Sequence, residues 1–259
     1  MTRRVPLEGV ENFRDFGGYA TASGRRLKAG RLYRSASHGK ATDADLETIH
    51  ALDLAVIVDL RRLRERERDP SRRHDAFAGE VIANDLGNEE EEDSWINHIT
   101  TSDLTGASFH DYMYDYYRNA PFDPRIVDLY RRYFEVLARA DGPVLIHCAA
   151  GKDRTGILAA LTHHLTGVHR DDMMADYLAT NDPERVARRL PLVEQAIHDL
   201  TGRTLPEATL RVAMGVEPGY LETAFATMAE RYGDVDRYLE IALAVDGARR
   251  DALEARLIE

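Results

Sequence analysis

The chain has a single cysteine, Cys148, among its 259 residues. That excludes an internal disulfide and any zinc or iron–sulfur centre built on several cysteines. A lone thiol fits a reducing compartment, where it stays free to react. Long apolar runs are also missing. The longest, such as Leu54–Val58, fall far short of the roughly 20 residues that span a bilayer, so no integral membrane association is expected. The opening MTRRVPLEGV carries two arginines with no apolar stretch behind them, and no signal peptide is read there. The expected location is cytoplasmic, a reading that does not exclude signal-less secretion. A basic surplus is absent too: 34 Lys and Arg face 45 Asp and Glu, a net charge of -11. Nucleic acid is therefore not an expected partner, because backbone phosphates are bound by clustered cations. Any anionic substrate must be drawn in by a local positive field set against an acidic whole. No repeat, low-complexity segment or linker interrupts the chain, and no HExxH-type spacing offers a metal site. Neither metal nor cofactor is expected.

With 44% hydrophobic and 31% charged residues, the composition is that of an ordinary globular chain. A domain of this length buries roughly three-quarters of its unfolded surface and needs no staple. Residues 1–40 read as loops and short strands punctuated by glycines, with SGRRLKAGRLYRSA as a small hairpin at a sheet edge. Thr42 offers an N-cap to a helix carrying Leu46, Ile49 and Leu52. Leu54–Leu60 is β-branched and apolar, as a strand buried on both faces requires. The RRLRERERDP of 61–70 reads as a solvated, salt-bridged helical face, and the acidic run GNEEEED of 87–93 as an exposed loop. Residues 87–120 lack a steady period and suggest an irregular or partly helical insertion, a candidate lid. Ile126–Ala140 is an amphipathic helix. Val144–His147 is a short strand, and Thr155–Leu165 a helix stopped by Gly167. From 170 to 259 the pattern is helical, broken by Pro183, Pro191, Pro206, Pro218 and Gly233. Alternating strands and helices followed by helices alone predict a single α/β domain over 1–259. Its mainly parallel central sheet is flanked by helices, with a helical C-terminal part.

The chemistry concentrates in Val144–Gly156, VLIHCAAGKDRTG, where five residues separate Cys148 from Arg154. A strand turning tightly into a helix points successive N–H groups at one spot, and the helix N-terminus adds partial positive charge. Ala149, Ala150, Gly151, Lys152, Asp153 and Arg154 would then cradle a phosphate. Gly151 lets the backbone approach without a Cβ. The same field favours a nucleophilic thiolate on Cys148. Arg154 suits two equatorial oxygens of the transferring group, and Thr155 would give its hydroxyl to the departing thiolate. The product of the first step would be a cysteinyl-phosphate, later hydrolysed by water. A nucleotide P-loop is excluded, since that pattern needs glycine at 146 and Ser or Thr at 153, where this chain has Ile146 and Asp153. His147 reads as an acceptor of loop hydrogen bonds rather than a proton carrier.

HCAAGKDRTG resembles the HCxxGxxRTG signature of the protein-tyrosine-phosphatase superfamily. Lys152 and Asp153 narrow the resemblance to the HCxxGKDR tyrosine phosphatase family of mycobacteria and other bacteria. Asn12-Phe13-Arg14-Asp15 with Gly17-Gly18, Leu32-Tyr33-Arg34-Ser35, and Asp59-Leu60-Arg61 with Glu65 also look like that family's NFRDxGG, LYRS and DLRxxxE. Towards the end, Tyr177-Leu178, Asn181, Gly215-Val216, Tyr220-Leu221 and Tyr232-Gly233 follow its habits. The resemblance implies a tyrosine-phosphatase fold, Cys148 as nucleophile, Arg154 as phosphate binder and Asp153 as general acid drawn from the loop itself. Asp153 could instead pin the loop, leaving Asp111, Asp115 or Asp123 to give the proton. Lys152 would add positive charge at the rim, which in relatives accompanies activity on phosphoinositides. Asp59 would orient Arg154 or Lys152, or merely cap its strand. The function implied is hydrolysis of phosphotyrosine in proteins, with dual-specificity or phosphoinositide hydrolysis as the alternative. A phospho-ligand-binding pseudo-phosphatase and a persulfide sulfur transferase are further contenders that the intact Cys148, Asp153 and Arg154-Thr155-Gly156 disfavour.

Overall fold

The computed structural model describes residues 3–86 and 94–259, so the acidic run of 87–93 lies outside the described residues. Five strands form one sheet: β1 (Arg14–Asp15), β2 (Leu32–Ser35), β3 (Val56–Asp59), β4 (Glu80–Ile82) and β5 (Val144–His147), in the order β1-β2-β5-β3-β4. All pairings are parallel except β1 with β2. The central strands β2, β3 and β5 are buried along their whole length. Their alternation divides the core. Leu32, Val56, Val58, Val144 and Ile146 face one cluster, while Tyr33, Ile57 and Leu145 face another, the period of two that a strand imposes.

Around the sheet lie α1 (Asp43–His50), α2 (Leu63–Arg68), α3 (Ser94–Thr101), α4 (Gly106–Asn119), α5 (Pro124–Arg139) and α6 (Asp153–Leu165). The tail adds α7 (Arg170–Leu178), α8 (Pro183–Thr201), α9 (Glu207–Met214), α10 (Pro218–Tyr232), α11 (Val235–Ile241) and α12 (Gly247–Leu257). Thr42 caps α1 in a full capping box with Asp45. Helix α6 is buried without interruption from Thr155 to His163, as a helix packed on all sides must be. Among the described residues, no helix is long and apolar enough to cross a membrane.

Three expectations need correction. The 23–36 segment is no edge hairpin: its turn pairs back onto residues 18–21, with the Leu27 N–H donating to Tyr19 C=O at 2.8 Å, while Leu32–Ser35 runs inside the sheet between β1 and β5. Pro191 does not break a helix. It sits within α8, which continues because Val186, Leu190, Val193 and Ile197 supply its packed face. Pro183 and Pro218 start helices instead, where their missing N–H costs nothing. The 61–70 stretch is solvated only in part: Arg64 and Arg68 are exposed, but Arg61 is buried and Glu65 turns inward.

Candidate active site

The parallel register aligns Ser35, Asp59 and His147 at the carboxyl ends of β2, β3 and β5, the edge where open α/β sheets hold their ligands. The loop after β5 springs from this edge and runs into α6. Its carbonyls are all tied outward. Ala149 C=O accepts from the Ser37 N–H at 3.0 Å. The Asn12 side-chain amide donates to Ala150 C=O at 3.3 Å and to Gly151 C=O at 2.8 Å, and Arg34 donates to Gly151 C=O at 3.0 Å. In a trans peptide the following N–H points opposite to the carbonyl. The N–H groups of Ala150, Gly151 and Lys152 therefore face the other way, and among the described residues no protein group accepts from them. Unpaired donors of this kind suit the anion cradle expected of the loop that begins at Cys148, which is buried at the end of the strand. Gly151 has φ +63°, and a Cβ there would lie 2.4 Å from the Ser35 carbonyl oxygen. Only glycine fits that turn.

Behind the cradle stands a buried ionic frame. The Asp176 carboxylate accepts from Arg14 at 3.0 Å and from Arg34 at 2.7 Å. Burial alone would raise its pKa, but the two guanidinium charges overcome that and hold it far below the usual carboxylate range. Asp176 thus fixes the arginine that fixes Gly151.

Arg154 is aimed by Glu65. Its two terminal nitrogens donate to the Glu65 carboxylate at 2.5 and 2.7 Å, and one of them also reaches Leu60 C=O at 3.1 Å. A guanidinium has five N–H bonds. Three are thereby spent, and among the described residues the Nε–H and one terminal N–H have no partner and lie together on a single edge. That edge is the fork that suits two phosphate oxygens. Burial works against both charges of the pair, yet their attraction wins: Glu65 is held down to about 2, and Arg154 stays firmly protonated.

Asp153, at the first turn of α6, accepts a hydrogen bond from the Tyr117 hydroxyl at 2.9 Å, and Tyr117 in turn accepts from Tyr177 at 2.7 Å. Cys148, Ala149, Ala150, Lys152, Asp153 and Arg154 all line one cleft of about 270 Å³, which Trp95, Tyr112 and Tyr116 also line. Of the alternative acids, Asp111 and Asp115 are exposed on α4 and do not line this cleft. Asp123 lines it but caps α5 through the N–H groups of Arg125 and Ile126.

Four supporting residues depart from expectation. Asp59 touches neither Arg154 nor Lys152. Its carboxylate grips Arg61 at 2.8–3.3 Å and lies 3.6 Å from His147. The register explains this, because Asp59 stands opposite His147 on the neighbouring strand. Lys152 is no surface amine at a rim. It is buried, 3.3 Å from Ala213 C=O and 3.6 Å from Asp153, and burial lowers its pKa despite the carboxylate. Thr155 Oγ1 is buried and makes no hydrogen bond to the sulfur. His147 contacts the loop in the opposite sense to that expected: Nδ1 lies 3.5 Å from Cys148 C=O, which can only accept, so the imidazole donates rather than accepts.

Sequence reasoning attached no role to Glu65, Asn12, Arg34, Asp176 or Tyr117. The spacing of Phe109, Met113 and Tyr117, four residues apart on the buried face of α4, was a helical signal within the segment read as irregular. Arg185 and Arg189, which line the cleft from α8, had no signal beyond being basic.

A thiol under unpaired N–H groups, beside a guanidinium with one free edge, is the equipment of a cysteine-dependent phosphoester hydrolase. Comparison with known proteins agrees, and the chain belongs to the tyrosine phosphatase family, whose sequence model matches residues 5–259. It is a phosphatase. It is 34% identical over 260 residues to the triple specificity protein phosphatase PtpB of Mycobacterium tuberculosis, covering 91% of this chain and 92% of that one. It is also 33% identical over 251 residues to a protein of Cupriavidus necator provisionally named a tyrosine-protein phosphatase, covering 95% and 86%. Among solved structures, the core catalytic domain of the PP-IP phosphatase SIW14 from S. cerevisiae aligns over 90% of this chain and 98% of its own. With a TM-score of 0.34 and 14% identity, that likeness is too low to build on.

Proposed function

We propose that this protein hydrolyses phosphotyrosine in proteins through a cysteinyl-phosphate intermediate. In this reading the Cys148 thiolate attacks phosphorus while the N–H groups of residues 149–154 and the free edge of Arg154 hold the non-bridging oxygens. The P–O bond to the tyrosine oxygen breaks, and Asp153 protonates that oxygen as it leaves. Water then attacks the phosphorus and releases Cys148. The observation that carries the reading is the Glu65–Arg154 brace, which commits the guanidinium to one orientation in the cleft that also holds Cys148 and Asp153. Aromatic Trp95, Tyr112 and Tyr116, which line the same cleft, suit an aryl phosphate. The whole chain works here as one phosphatase domain, with the helices of 94–120 supplying the substrate-side wall.

A second reading, dual-specificity or phosphoinositide hydrolysis, is favoured by the charge on the α8 side. Lys152, Arg185 and Arg189 line the cleft, and among the described residues Asp153 and Glu11 are the carboxylates that pair with them. Burial and then the neighbouring Arg189 push Arg185 down to about 10, a sign of crowded cations. The relative PtpB, named for triple specificity, agrees with a site that accepts more than one phosphoester.

The test is turnover of a phosphotyrosine peptide, a phosphoserine peptide and a phosphoinositide panel by the wild type, Cys148→Ser and Asp153→Asn without added metal. Expected is loss of all turnover in Cys148→Ser, with the phosphotyrosine peptide the best wild-type substrate. Undiminished activity in Cys148→Ser would overturn the mechanism, and a phosphoinositide turned over faster than the peptide would select the second reading.

A further inference from the structure

We infer that Tyr117 and Tyr177 form a donor chain that positions Asp153 for proton transfer, so that one of its oxygens is fixed and the other is the proton carrier. This rests on the assignment of Asp153 as general acid above. Tyr177 sits on α7, Tyr117 on α4 and Asp153 at the start of α6, so three separate elements converge on one carboxylate. Both rings are almost wholly buried. Tyr177 donates to Tyr117 at 2.7 Å, and Tyr117 donates to Asp153 Oδ1 at 2.9 Å.

The direction of the chain follows from its terminus. With the acid's proton on Oδ2, Oδ1 can only accept, so Tyr117 must donate to it, and the Tyr117 oxygen is then free to accept from Tyr177. Each donation polarises the next hydroxyl. Oδ1 is thereby committed to Tyr117, and the proton delivered to the leaving oxygen travels on Oδ2. That oxygen lies 3.6 Å from Lys152 Nζ. In the transfer step the Sγ–P bond forms, the P–O bond to the aryl group breaks with its electron pair left on oxygen, and the proton on Oδ2 moves to that oxygen. Burial pushes both tyrosine pKa values well above the usual phenol range. The two hydroxyls therefore stay protonated as donors and do not themselves carry the reaction's proton.

The rings are held firmly enough to serve this role. Tyr117 stacks on Tyr220 with centroids 5.5 Å apart. A Cβ added at Gly156 would come within 3.0 Å of the Tyr177 ring, so the ring fills the space against α6 that glycine leaves. Removing a hydroxyl while keeping its ring should thus release the carboxylate without opening a cavity.

The experiment is a leaving-group series. The value of kcat/KM is measured for aryl phosphates from phenyl phosphate, whose leaving group needs a proton, to 2,4-dinitrophenyl phosphate, whose leaving group does not. Proteins compared are the wild type, Tyr117→Phe, Tyr177→Phe, Asp153→Asn and the double variant Tyr117→Phe/Asp153→Asn. General acids contribute about 10²- to 10⁴-fold. Misplacing one is expected to cost Tyr117→Phe about tenfold or more on phenyl phosphate and less than about twofold on the dinitrophenyl ester. Tyr177→Phe, one bond further away, should show the same pattern in smaller measure and serves alone if Tyr117→Phe does not fold. In the Asp153→Asn background, Tyr117→Phe should add nothing. An equal loss on every ester would overturn the inference and make the tyrosines structural only. So would a full additional loss in the double variant, or no loss at all. If Asp153→Asn itself shows no leaving-group dependence, the general-acid assignment fails and the chain's role fails with it. A leaving-group effect in Asp153→Asn without one in the tyrosine variants removes only the chain.

Discussion

Glu65→Gln tests the brace on Arg154 with the smallest available change of shape. The glutamate accepts three-way support for one guanidinium: bonds of 2.5 and 2.7 Å from Arg154 and one of 2.7 Å from the Arg62 N–H. Glutamine keeps one oxygen acceptor and sets an NH₂ against the second guanidinium N–H. Breaking a buried pair by removing one charge costs about 3–5 kcal/mol. Both side chains are 15% exposed, which places this case at about 3 kcal/mol. If that energy is what holds the free edge of Arg154 on the phosphoryl oxygens, about 1.36 kcal/mol per decade makes it roughly a hundredfold in kcat/KM. Expected, then, is a fall of about a hundredfold on a phosphotyrosine peptide and a similar weakening of vanadate binding. A urea melt should show about 2–3 kcal/mol of lost stability, since the guanidinium stays buried without its counter-charge. The reasoning is refuted if kcat/KM stays within about threefold and vanadate binds as before while stability alone falls. Glu65 would then be a stabilising partner with no part in aiming Arg154.

Gly151→Ala should cost activity more than about a hundredfold, because its φ of +63° and a Cβ 2.4 Å from the Ser35 oxygen force the loop to open; wild-type vanadate affinity in this variant would disprove the cradle. Asn12→Ala removes the amide that turns Ala150 and Gly151 carbonyls outward, and phosphate affinity should fall about tenfold by titration while the melting temperature drops only a few degrees. Stability should decline with acid in two stages. Burial lowers His38, His147 and His163, so the unfolded chain binds protons that the folded imidazoles refuse as pH falls below about 6.5. Glu65, depressed from 4.5 to about 2, adds on the order of 3 kcal/mol at neutral pH that is lost from about pH 4.5 downward. Urea midpoints at pH 7.5 and 5.5 check the first stage, and a higher midpoint at the lower pH would contradict it.

The fold was legible where local pattern and burial agree. Val56–Val58 and Val144–Ile146 are β-branched or apolar throughout, and both strands lie in the middle of the sheet. Thr42 with Asp45 announces a helix by its capping chemistry, and the apolar period of 126–140 announces another. Misreadings came where tertiary contacts outvote local sequence. The sequence around Gly24 and Gly30 is that of a surface turn, yet Leu32–Ser35 pairs on both sides because β1 and β5 arrive from distant parts of the chain. Pro191 has the local signature of a helix stop. It removes one backbone bond, and the apolar stripe on either side of it still packs as one face.

In the site, the residues that would touch the phosphate stand next to one another in sequence, and the residues that hold them do not. Cys148 to Arg154 could be read because a strand end, a glycine and a helix start are contiguous. Glu65 lies 89 positions from Arg154 in sequence, and Asp176 lies 142 from Arg34. Nothing local says that such charges meet. The error at Asp59 has a different cause: its partner Arg61 is only two residues away, and its neighbour His147 is set by strand register. A carboxylate so close to the loop was a reasonable partner for Arg154, but Glu65 already occupies the guanidinium edge that Asp59 would need. One arginine cannot serve two bidentate carboxylates and still offer an edge to a phosphate. The chain resolves that competition by giving Asp59 its own arginine, and Arg61 is buried for that purpose rather than left on a solvated helix.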